Sequence, residues 1–302
     1  MNTATLPTWA SAILSSPPQR GGGLHSWLIR CCIALRRLGW GEHDMRQALE
    51  VATAGQALQP NEINEAIKNS PKYMTERGTV RATASTKWPA IDNQARQEVI
   101  DDSAGFDDSG LYESSPIKFT DAEARTNAIV DVLFPPNCLL CVGQRLNHAI
   151  TAKRETLGDL SKYQFVVPSP MSKPIGKTKE GKDSARCLDN VGPRRHLVVE
   201  QDQGTPAEQA AIIAHLAHFA PLVLACRSGG KSIHAWFKCE GATLGMLMDF
   251  FGMAVRLGAD HATWTPCQYV RMPDGLRRLS GNDTTRQSVL YFAPAVAGGA
   301  TC

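Results

Sequence analysis

Residues 196–239 constrain the fold of this chain more than any other stretch. The apolar run Leu197-Val198-Val199 reads as a buried strand leading into Glu200 and Asp202. "TPAEQAAIIAHLAHFA" then reads as a helix, with Thr205 at its N-cap and Pro206 at its first position. "PLVLACR" and "SIHAWFKCE" follow as a strand pair around "SGGK". "DAEARTNAIVDVLF" and "TLGMLMDFFGMAVRLG" read as further helices, and "CLLCVG", "YQFVVPSPM", "CQYVRMPDGLRR" and "SVLYFAP" as further strands. Residues 118–302 are therefore expected to form an α+β domain built on one mixed sheet.

The preceding chain has a different character. Residues 24–38, "EHDMRQALEVATA" and "NEINEAIKNSPKYM" carry helical periodicity. They predict a small all-α unit over 1–77 with Trp27, Leu28, Leu35, Leu38, Trp40, Leu49 and Ile63 as core. Residues 78–117 lose periodicity and include "VIDDSAGFDDSGLYESSP", which predicts an acidic linker or loop.

Composition excludes some classes. With 302 residues, 43% hydrophobic and 20% charged, the chain has ordinary globular content. No apolar run approaches the ~18–20 residues of a membrane span. The N-terminus lacks the basic start and apolar stretch of a secretory signal, so no membrane partner and a cytoplasmic location are expected. Nine scattered cysteines suit small buried hydrophobes in a reducing compartment. Cys138 and Cys141 have ligand spacing, but no second pair completes a zinc set. The net charge of +3 hides an asymmetry. Residues 98–123 hold eight acids and one lysine, whereas residues 169–195 hold seven Lys or Arg against three acids. The basic segment is compatible with a polyanionic partner. "IGKTKEG" contains the GKT of a P-loop, but position 171 is Met where the first glycine belongs, and no helix is expected after it.

Several candidate groups carry chemistry. Glu200 and Asp202 are two apart, so a strand projects them from one face, where a divalent cation offsets their repulsion. The alternative is a strand end emerging into solvent. In "RSGGKSIHAWF", the Ser228, Gly229 and Gly230 backbone and the Lys231 ammonium are equipment for triphosphate oxygens. A plain hairpin turn reads equally well. His234 shares a strand face with Ser232 and is either part of that site or a core histidine. Asp260 follows an apolar helix, and Arg271 precedes Pro-Asp-Gly.

In this order, "EQD", "SGGKSIH", the Asp of "GADHAT" and "VRMPDG" resemble the motifs of the archaeo-eukaryotic primase superfamily. The resemblance covers residues 135–295 and points to the primase-polymerase branch of phages and mobile elements. Glu200 stands where that family's first motif begins with Asp. The resemblance implies a modified RNA-recognition-like sheet and template-dependent nucleotidyl transfer. It implies that Glu200, Asp202 and Asp260 hold two Mg²⁺ or Mn²⁺ ions and, with His234, form the catalytic set. Ser228, Gly229, Gly230, Lys231, His234 and Arg271 would bind a ribo- or deoxyribonucleoside triphosphate. The loop 173–195 would meet a single-stranded DNA template, with a separate helicase as a further partner. A second reading keeps the fold but makes it a catalytically weak or inactive nucleic-acid-binding replication module.

Overall fold

The computed structural model describes residues 24–37, 40–56, 58–75, 88–103, 105–119, 125–240, 242–279 and 283–297, together with Leu14 and Pro17. The chain divides into two compact units, residues 1–87 and 88–302.

The first unit is helical: α1 (Leu24–Arg37), α2 (Glu42–Ala52) and α3 (Glu62–Thr75). Trp27, Leu28, Leu35, Leu49 and Ile63 are buried together as the periodicity predicts, and Trp40 packs at the edge of the cluster. Leu38, expected in that core, lies outside the described residues. Arg36 binds α1 to α3 by donating to the Ser70 hydroxyl at 2.9 Å and the Ile67 carbonyl at 3.0 Å.

The second unit is α+β. It opens with two helices where sequence predicts a linker: α4 (Asn93–Asp102) and α5 (Asp108–Ser114). The acidic residues that suggest a solvated tether are in part helix caps. Asp92 accepts from the Ala95 amide at 3.0 Å and Asp107 from the Gly110 amide at 2.9 Å. Val99 and Leu111 then bury one face of each helix in the main core. Residues 78–87 of the expected linker lie outside the described residues.

After α6 (Thr126–Leu133), the strands form two four-stranded sheets and two small hairpins. One sheet has the order β12 (Val289–Phe292), β7 (Leu222–Arg227), β8 (Ile233–Lys238), β6 (His196–Gln201). The other has the order β2 (His148–Lys153), β1 (Leu139–Arg145), β3 (Phe165–Val166), β9 (Val270–Arg271). Among the described residues every strand pairing is antiparallel, which corrects the expectation of one mixed sheet. The physical reason is the turn at 228–232. It folds β8 back between β6 and β7, so these two strands of like direction never hydrogen-bond to each other.

Two helices cover one face of the β6-containing sheet. Helix α7 (Pro206–Ala217) starts with the expected Thr205 cap, closed reciprocally by Glu208, and α8 (Leu244–Arg256) is capped by Thr243. Leu197, Val199, Ile233 and Ala235 pack under them with Ile212, Phe250 and Phe251. The opposite face carries Val198, Leu224 and Trp236, which meet Leu140, Val142, Val166, Val270 and Met272 of the second sheet. Among the described residues, no helix is long and apolar enough to cross a membrane.

Candidate functional site

The site lies at one end of β6 and β8. Glu200 pairs with His234 across these strands, and His234 pairs with Cys226 of β7. On the outer side of β6, Gln201 bridges Ala259, and the Asp260 amide donates to the Glu200 carbonyl at 3.0 Å. Antiparallel partners share a face. Asp260, Glu200, His234 and Cys226 therefore stand in one row, on the face that Val198 and Trp236 turn toward the second sheet.

Glu200 is the electrostatic centre of the row. Its Oε1 accepts from the Ser232 hydroxyl at 3.0 Å and stands 3.4 Å from His234 Nε2, a charge contact without hydrogen-bond alignment. Burial alone would push the carboxyl up, but the His234 ring, the Ser232 hydroxyl and the Arg271 guanidinium together hold it at about 2. His234 is 2% exposed, and neither ring nitrogen has a hydrogen-bond partner among the described residues. A buried imidazole without partners is costly unless something else completes it. Asp202 lies just past the end of β6, with Oδ2 at 3.2 Å from Lys231 Nζ. The Asp260 carboxylate caps the short turn His261–Trp264 by accepting from the Ala262 amide at 2.9 Å.

The "SGGK" turn is a hairpin with a built interior. The Ser228 amide donates to the Ser232 carbonyl at 2.8 Å, and the Ser228 hydroxyl accepts from the Ser232 amide at 3.2 Å. Ser228 is buried and its own amide closes the hairpin, so that amide is not offered to a ligand. Gly229 has φ +69°, and a Cβ there would stand 2.7 Å from the Thr285 methyl. A Cβ on Gly230 would strike the Arg277 guanidinium. Arg277, on β10 (Leu276–Arg278), donates to the Ser228 carbonyl at 3.3 Å and so lies across the turn. Lys231 is the exposed cation of the turn.

Arg271 is half-buried on β9, opposite Phe165, with its guanidinium 4.7 Å from that ring. Burial lowers its pKa, the Arg277 charge lowers it further, and Glu200 and Cys226 oppose them. Arg271, Arg277 and Glu200 thus share one field. Arg277 and Ser232 belong to the site but were not among the sequence candidates for it. Strand alternation put Ser232 on the His234 face, whereas nothing local separates Arg277 from its neighbour Arg278.

The carboxylates are of the hard-oxygen type that Mg²⁺ or Mn²⁺ takes. Among the described residues, however, no group of three His, Cys, Asp or Glu side chains is arranged to hold a metal ion. Glu200 and Asp260 are backbone neighbours, but each of the three acids is engaged by its own local partner.

The basic loop is ordered. "IGKTKEG" supplies the first strand and the turn of a hairpin of β4 (Gly176–Lys177) and β5 (Asp183–Ser184), with no helix directly after it. Asn190 is fully buried at its base, donating to the Ala185 carbonyl at 2.9 Å and accepting from the Cys187 amide at 2.9 Å. Arg186 stacks on Tyr269 at 4.1 Å and Arg194 on Trp264 at 4.7 Å, which docks the loop on the segment that follows Asp260. No family model, curated protein or solved structure matches the chain.

Proposed function

We propose that the second unit is a template-dependent nucleotidyltransferase of the primase-polymerase type. The observation that carries this reading is the row Asp260–Glu200–His234, in which acids from separate segments stand beside a buried ring whose nitrogens make no aligned hydrogen bond among the described residues. Lys231, Arg271 and Arg277 supply positive charge for a triphosphate around the same end of the sheet. The docked loop 173–195 offers its exposed lysines, Lys173, Lys177, Lys179 and Lys182, to a single-stranded template. Divalent ions would be taken by Glu200, Asp202 and Asp260, and would supply Lewis-acid activation of the attacking hydroxyl. That requires Asp202 to leave Lys231. The Lys231 side chain is 77% exposed, so the pair is worth less than about 1 kcal/mol and yields readily.

The test is nucleotide incorporation on single-stranded DNA with Mg²⁺ or Mn²⁺ and both sugar types. Asp202→Ala is expected to lower incorporation by about 100-fold or more while leaving the thermal transition in place. A fully active Asp202→Ala chain ends the proposal. A second reading, a non-catalytic nucleic-acid-binding replication module, is favoured by one observation: the Glu200 carboxylate is already satisfied by Ser232 and lies against His234. Metal with nucleoside triphosphate should raise the thermal midpoint of the enzyme and leave that of the binder unchanged.

A further inference from the structure

Three ties run from the acidic segment 92–108 to the three segments that carry the site. Asp92 receives the Arg256 guanidinium at 2.8 Å, and its amide donates to the Arg256 carbonyl at 2.8 Å, at the end of α8 shortly before Asp260. Arg96 donates to the Gln203 carbonyl at 3.2 Å, next to Asp202, and stands 3.4 Å from Glu208. Asp108 pairs with Arg227, the residue before Ser228.

Arg96 is the centre of this arrangement. Its side chain is 13% exposed. Gly204 (φ +74°) and Gly258 (φ +100°) each lie two residues from an acid, Asp202 and Asp260 respectively. A Cβ on Gly204 would press on the Arg96 guanidinium, and one on Gly258 would stand 3.5 Å from Arg96 Nε. Gly204 therefore leaves room for the paired Glu208 and Arg96 side chains, and Gly258 lies within ordinary contact distance of the same arginine. The buried Nε has no hydrogen-bond partner among the described residues, nor has the adjacent fully buried Gln201 amide. The guanidinium is thus anchored at its tip, toward the Asp202 loop, with polar slack beneath it.

We infer that Arg96, supported by Asp92 and Asp108, is a positioning residue that sets the spacing of the Asp202 and Asp260 segments. The acidic segment is then a strap of the site rather than a tether between units. As a statement about catalysis this rests on the proposed function; as a statement about the two loops it does not.

The experiment uses the full chain with Arg96→Met, which keeps the apolar stem, and Arg96→Lys, which keeps the charge. Amide hydrogen exchange in 201–205 and 257–261 is expected to quicken by about tenfold in Arg96→Met, the weight of one charge-assisted hydrogen bond. Incorporation kcat is expected to fall by about tenfold or more with little change in nucleotide KM, because geometry and not binding is lost. Arg96→Lys should recover part of both. If Arg96→Met fails to fold, Asp92→Asn serves instead. It keeps the helix cap and weakens the Arg256 tie, and should quicken exchange at 257–261. Wild-type exchange in these segments, or unchanged kcat in an active enzyme, overturns the inference. A wild-type chain that incorporates no nucleotide removes the proposed function, and the exchange measurement alone then decides the strap.

Discussion

Asp260 and Glu200 are backbone neighbours: the Asp260 amide donates to the Glu200 carbonyl at 3.0 Å, although a helix, a hairpin and a second helix separate them in the chain. This single bond brings the third acid beside the first. It also fixes the face on which both stand, and the predictions below concern the groups that surround it.

Glu200 makes the protein acid-sensitive in a defined window. Its carboxyl is held at about 2 against an ordinary 4.5, so the unfolded chain takes up a proton that the folded one refuses. The stabilisation is fully present above about pH 4.5 and is lost as pH falls toward 2. Glu200→Gln should flatten denaturant-derived stability between these values, and an unchanged slope contradicts the assignment.

His196 acts in a higher window that overlaps this one. It is buried among Phe134 and Trp236, and burial, with the Arg195 charge, holds its pKa at about 3 against 6.5. The folded ring stays neutral while the unfolded one protonates, so stability falls as pH drops from about 6.5 to 3. His196→Phe should remove this part of the pH dependence, which is read from unfolding midpoints at pH 7 and pH 4.

The two turn glycines should differ on substitution. Gly229→Ala forces a side chain into the left-handed region and onto Thr285, at an expected cost of about 1–2 kcal/mol. Gly230→Ala displaces only the far end of Arg277 and its bond to Ser228, a loss of about 1 kcal/mol. Urea unfolding of both variants checks the order.

Asn190 should be the residue on which the basic hairpin depends. Asn190→Ala leaves the Cys187 amide without its partner and the Ala185 carbonyl with the Thr151 hydroxyl alone, at a cost of about 1–3 kcal/mol. Limited proteolysis between residues 173 and 189 should accelerate, while cleavage elsewhere in the second unit stays at the wild-type rate.

Much of this architecture was legible in the sequence. Short apolar runs located β6 and β8, and the Thr205-Pro206 start located α7, because these signals depend on neighbours only a few residues apart. Helices α4 and α5 were not legible. Their acids have linker composition, and the burial of Val99 and Leu111 that makes them helices comes from elements distant in sequence. The antiparallel order was hidden for a similar reason, since strand segments alone do not say which edges pair.

By itself the sequence determined where β6, β8 and α7 lie, that a glycine-containing turn joins β7 to β8, and which acids, histidine and arginines are available. Only the tertiary structure decided that Asp260 lies beside Glu200, that Arg277 lies across the turn and that Arg96 sits between Gly204 and Gly258. These neighbours are chosen by which apolar faces bury together. That choice sums over the whole domain, and no local stretch of sequence carries it.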